Sequence, residues 1–139
     1  MRSTLLVLLA ATALACSPAA AADPGPETRL VIVGGGDRPK EALARFAAWA
    51  GGASARVLVL PWASGEPKES CEAILEELAP HAPGEARCGP HATLDAKGKA
   101  APLDAERKKA ALDALARASG VFFTGGDQAR IMDVLADPE

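Results

Sequence analysis

The sequence predicts an α/β protein: a parallel sheet covered by helices on both faces, in three layers. Three observations lead there. Short apolar runs rich in β-branched residues recur along the chain, and the clearest of them stop at glycine or proline. Between them lie stretches whose apolar residues repeat at helical spacing. Strand and helix alternate regularly, as β-α-β units require and antiparallel meanders do not.

Each element follows in order. The run "RLVIV" (29–33), closed by three glycines, reads as a buried first strand. Pro39 and Glu41 suit a first helical turn. Leu43, Phe46, Ala47 and Ala50 then mark the inward face of a helix that Gly51-Gly52 stops. "RVLVL" (56–60) is a second buried strand, ended by Pro61. A helix over about 68–79 places Cys71, Ile74, Leu75 and Leu78 on one face, and Pro80, Pro83 and Gly84 end it. "EARC" (85–88) is a weak third strand. After a Gly/Pro/Lys-containing loop, a helix from about 103 to 117 turns Leu112, Leu115 and Ala116 inward and solvates its basic run "ERKKA". "GVFFT" (120–124) is the fourth strand, and Asp127 is placed to cap a last helix that breaks at Asp137-Pro138.

A chain of 139 residues makes one modest domain. Its 49% hydrophobic and 24% charged residues are those of a globular protein. A net charge of −3 leaves no basic footprint for nucleic acid. Aromatics are only 4%, with no Tyr, which argues against base-stacking platforms and carbohydrate clefts.

The division expected is a signal peptide over 1–22, a linker "DPGPET" over 23–28, and the α/β domain over 29–139. Arg2 precedes an apolar run over 5–15 that is shorter than the roughly 20 residues a membrane span needs. Two processing routes are open. Ala20 and Ala22 frame a cleavage site before Asp23, whereas "ALAC" resembles a lipoprotein lipobox in which Cys16 would carry the lipid, with Ala13 where leucine is usual. Either route exports the protein to the periplasm or beyond, and membrane contact would come only through the signal or a lipid anchor.

In an oxidising compartment Cys71 and Cys88 are candidates to pair. The competing reading packs Cys71 as a small hydrophobe on its helical face. Neither cysteine has metal-ligand spacing, and His81 and His91 lie in Pro/Gly-rich loop, so no metal site is expected.

In parallel sheets, ligands bind beyond the carboxyl ends of the strands. Three loops belong at that edge: "GGGDRP" (34–39), "PWASGEP" (61–67) and "TGGDQ" (124–128). A dinucleotide fingerprint is excluded because Pro39 stands where the last glycine belongs, and Leu60-Pro61-Trp62-Ala63 stands where the ribose-binding acidic residue should end the second strand. No phosphate-binding Lys-Ser/Thr motif occurs either, so no cofactor is expected. The glycines of "TGGDQ" have two readings. They make a tight strand-to-helix turn, or they aim a backbone N–H, that of Gly126, at a carbonyl oxygen that becomes negative during acyl transfer.

Taken together, "RLVIVGGGDRP", "RVLVLPWASGEP" and "GVFFTGGDQARI" resemble the amino-terminal half of the cyanophycinase and dipeptidase E (aspartyl dipeptidase) family of serine peptidases, over about residues 28–136. The resemblance implies a flavodoxin-like, class I glutamine amidotransferase-like fold that is incomplete at the C-terminus. It implies hydrolysis of acidic or β-aspartyl peptide bonds, with a small peptide or isopeptide as substrate. By position it makes Gly126 the oxyanion donor and sets Asp127 and Gln128 in the substrate pocket. Gly34, Gly35, Gly36 and Ser64 become nearby supports, and Trp62 a residue that alters substrate choice. The family's nucleophile lies in a Gly-x-Ser-Ala-Gly elbow on a later strand, and no serine here has that context. The expectation is therefore an inactive amino-terminal part of a secreted peptidase. The alternative is a noncatalytic envelope module that holds a small acidic ligand. Coding sequence downstream of codon 139 distinguishes the two.

Overall fold

The computed structural model describes residues 28–34 and 36–136. The expected signal peptide, its cleavage sites, Cys16 and residues 23–27 of the linker lie outside them, as does Gly35.

The described residues form an α/β structure around a three-stranded parallel sheet. Strands β1 (Arg56–Leu60), β2 (Glu85–Cys88) and β3 (Gly120–Phe123) are ordered β2-β1-β3. Arg56 stands opposite Glu85 and Val59 opposite Cys88, while Val57 faces Gly120 and Leu60 faces Phe123. β1 is central and four of its five residues are buried, which explains its unbroken apolar run: both faces of the strand meet helices. Val57 and Val59 point into a cluster with Leu43, Cys71, Ile74 and Leu78, from helices α1 (Lys40–Trp49) and α2 (Pro67–Leu78). Leu58 and Leu60 point the other way, into a cluster with Ala111, Ala114 and Val134, from α3 (Ala105–Leu115) and α4 (Gln128–Leu135). The three layers follow from this alternation along a single strand.

The helix boundaries have local causes. Pro39 precedes α1 and Pro67 opens α2, where a missing N–H costs nothing. Asp104 accepts from the Arg107 N–H at 2.8 Å to cap α3, and Asp127 accepts from the Ala129 N–H at 2.9 Å to cap α4. The inward faces expected for α1 and α2 are those observed. Cys71 and Cys88 form a disulfide that staples α2 to β2, with their Cα atoms 6.0 Å apart.

Three expectations are corrected. Residues 29–33 form no strand: Leu30 and Ile32 are 77% and 80% exposed. β1 is already paired on both sides, so only the outer edges of β2 and β3 remain for another strand, and this segment makes no ladder with either. β-branched residues favour a pleated, half-buried surface, but they do not supply the neighbour that makes one. On α3, Leu115 packs against the core as expected, but Leu112 is 60% exposed and Ala116 is exposed, while Ala111 and Ala114 face the sheet. The helix packs through small residues, which let its backbone come close. Trp62 is no substrate-loop side chain: it is buried in the core, gives its indole N–H to the Pro90 carbonyl at 2.8 Å, and meets Phe123 edge-on.

Candidate functional site

The carboxyl ends of β1 and β3 are tied together by backbone. Thr124 N–H donates to Leu60 O at 3.2 Å, and three residues on Asp127 N–H donates to Ala63 O at 2.9 Å. Between these two bonds the chain turns at Gly125-Gly126. Gly126 has φ +144°, and a Cβ there would collide with the Ala63 carbonyl oxygen. Close approach to the neighbouring loop therefore requires this glycine. Gly125 differs: a Cβ would meet nothing within 4 Å. Among the described residues neither glycine gives its N–H to an acceptor, although Asp127 beside them does.

Arg130, on the first turn of α4, consolidates the junction. Its Nη1 donates to Ala63 O at 3.1 Å and its Nε to Gly98 O at 2.8 Å, so one guanidinium joins the loop after β1 to the 94–100 hairpin. Ser64 is buried in the same loop. Its hydroxyl lies 2.6 Å from that of Ser70 and accepts from Glu66 N–H at 2.9 Å, closing the turn into α2. That hydroxyl is already engaged on two sides.

Beside β3 lies a cavity of about 610 Å³. Its walls are the 29–33 segment, Gly36 and Arg38, the α1 face at Ala42, Leu43 and Phe46, and residues 121–126. Arg38 hydrogen-bonds Glu77 through Nε at 2.6 Å and through Nη2, anchoring the 34–39 loop to α2. Those bonds hold the Glu77 carboxyl below its ordinary range and raise Arg38 further, against the smaller opposing effect of burial. Thr124 closes the inner wall. It is 7% exposed, and its Oγ1 is cut off from solvent with no hydrogen-bond partner.

The residues expected from the sequence are thus partly gathered. Gly36, Gly125 and Gly126 share the cavity, and Ser64 lies against the Gly126 backbone. Gly34 is exposed, with open space around it. Asp127 is exposed and spends its carboxylate on the α4 cap, Gln128 is exposed beside it, and neither lines the cavity. His81 and His91 are half-buried outside the cavity lining, and no group of three potential metal ligands occurs among the described residues. Nor, among them, is any helix long and apolar enough to cross a membrane. Sequence reasoning missed Thr124 and Arg130. The first was legible as a lone hydroxyl ending an apolar strand. The second acts through carbonyls 32 and 67 positions away, and nothing local marks it.

No family model, curated protein or solved structure matches this chain.

Proposed function

We propose that the chain carries the carbonyl-binding part of a serine-type exopeptidase domain of the cyanophycinase and dipeptidase E kind, with a flavodoxin-like, glutamine amidotransferase-like sheet. On this reading the protein is exported and acts on acidic or β-aspartyl peptides. One observation carries the reading: Gly126 keeps a backbone N–H without an acceptor, beside an open cavity, while the next N–H is tied to Ala63 O. Gly126 is exposed, so this N–H is open to solvent; a donor placed beside the Asp127–Ala63 bond and free of any protein acceptor suits a carbonyl oxygen that gains negative charge. The close fit of Gly126 to Ala63 accounts for the residue type, and the unused N–H accounts for a role beyond the turn. The Cys71–Cys88 disulfide supports an oxidising compartment. The reading assigns no nucleophile to these residues, since Ser64, nearest the glycines, is committed to its own turn.

The test is a titration of the ¹⁵N-labelled protein with β-aspartyl-arginine, together with a chromatographic assay for free arginine. The Gly126 amide resonance is expected to shift with no arginine released. An amide that stays still at millimolar ligand overturns the carbonyl-binding role, and arginine released by this chain overturns the absence of a nucleophile.

A further inference from the structure

The cavity beside β3 has the wrong chemistry for an acidic side chain. Leu43 and Phe46 of α1 and Phe122 of β3 pack on one face of the sheet and line the cavity together with the apolar 29–33 segment, while Val121 belongs to the cluster on the other face. Both guanidiniums at its margin are engaged: Arg38 with Glu77, and Arg29 over the Trp49 ring, 5.4 Å from its centroid. A carboxylate there would lie against apolar walls and find both guanidiniums already engaged, which favours an apolar group in its place.

The polar features of the cavity gather at one end. Thr124 Oγ1 is buried without a partner, and natural proteins leave few such groups without a reason. Gly125 and Gly126 follow it with unused N–H groups, and Gly125 is a glycine that neither φ nor crowding demands. A mostly apolar, open cleft with a few polar groups is a common form of small-molecule site, and about 610 Å³ falls within the usual size range.

From this arrangement we infer that the cavity is a subsite for an apolar side chain adjoining the carbonyl held at Gly126, and that Thr124 Oγ1 hydrogen-bonds the backbone of that substrate. The substrate is then a peptide with an aliphatic or aromatic residue at this position, and any acidic residue lies on the other side of the reacting bond. This rests on the peptidase reading and narrows it. A threonine hydroxyl both donates and accepts, so it serves either a peptide N–H or a carbonyl. Oγ1 is shut off from solvent, so contact with a ligand requires a wall of the cavity to move, and the 29–33 segment is a wall with no ladder bonds.

The experiment is an NMR titration of the whole chain, ¹⁵N- and ¹³C-methyl-labelled, with N-acetyl-L-leucinamide and separately with the α-amide of N-acetyl-L-aspartic acid at neutral pH. The leucine probe is expected to shift the Ala42 and Leu43 methyls and the amides of 124–126, binding at least about tenfold tighter than the aspartate probe, as burial of one aliphatic side chain implies. Thr124→Val, which keeps the shape, is expected to weaken the leucine probe about fivefold, the worth of one neutral hydrogen bond. Equal or tighter binding of the aspartate probe, or still methyls, overturns the subsite. Unchanged leucine affinity in Thr124→Val overturns the threonine contact. If the methyls shift while the Gly126 amide does not, the subsite stands and the carbonyl-binding reading falls. If Gly126 responds equally to both probes while the methyls stay still, the reverse holds.

Discussion

Replacing Thr124 with valine separates binding from stability in a way few substitutions do. The side chain is 7% exposed and its hydroxyl has no hydrogen-bond partner, so the folded state carries a desolvated polar group that the unfolded chain gives back to water. Mutational series place that cost at about 1–3 kcal/mol. Valine keeps the β-branch and the volume, puts a methyl where the hydroxyl was, and leaves the Thr124 N–H bond to Leu60 O intact. The expected result is stabilisation by about 1–2 kcal/mol, a rise in Tm of several degrees. Urea denaturation followed by circular dichroism, with an unchanged m-value, reads this directly. Thr124→Ser is the control: it keeps the hydroxyl, loses a methyl, and is expected to destabilise by about 1 kcal/mol. If valine instead lowers stability by about 1 kcal/mol or more, the hydroxyl has a partner and the reasoning about an orphaned group fails.

Adjacent glycines should answer differently to alanine. Gly126→Ala drives a Cβ into Ala63 O at φ +144° and is expected to cost about 3 kcal/mol or more, while Gly125→Ala stays within about 0.5 kcal/mol; equal losses in thermal unfolding would contradict the assigned contacts. The Cys71–Cys88 disulfide spans a sequence separation of 17, so reduction is expected to cost about 3 kcal/mol, measured as the shift in urea midpoint with and without dithiothreitol. Arg38 depresses the Glu77 carboxyl in the folded state, so the pair stabilises above the unfolded-state pKa and the contribution is lost as pH falls through the lower folded value. Glu77→Gln should therefore cost under about 1 kcal/mol at neutral pH, because the pair is partly exposed, and the gap to wild type should close as pH falls through the lowered folded-state value. A gap that widens on acidification reverses the sign and refutes the assignment.

Much of this architecture could be read where local chemistry and tertiary context agree. The run Val57–Leu60 announced a strand buried on both faces, Asp127 announced a cap, and the faces of α1 and α2 followed from spacing because large side chains do the packing there. On α3 the same logic misled. Alanines 111 and 114 pack against the sheet and Leu112 faces solvent, since close approach of a helix selects small residues over the largest available. The 29–33 segment has the composition of a strand, but composition cannot show that β1 is already flanked on both sides. The loops of the candidate site were legible as loops at one edge of a sheet. Their joining was not, because Asp127 to Ala63 is a backbone bond that any residue but proline could make, and Arg130 reaches Gly98 across 32 positions.

Arg130 gives the site a property that a contact map alone would understate. One planar group bonds carbonyls from two separate loops, tying the turn at Gly98 and the loop after β1 to the start of α4. The floor beneath the glycine turn is set before any ligand arrives, and binding loses correspondingly little entropy in ordering it. Alteration of the distant 94–100 hairpin should then be felt at the glycines, which makes that exposed turn a handle for tuning the site without touching it.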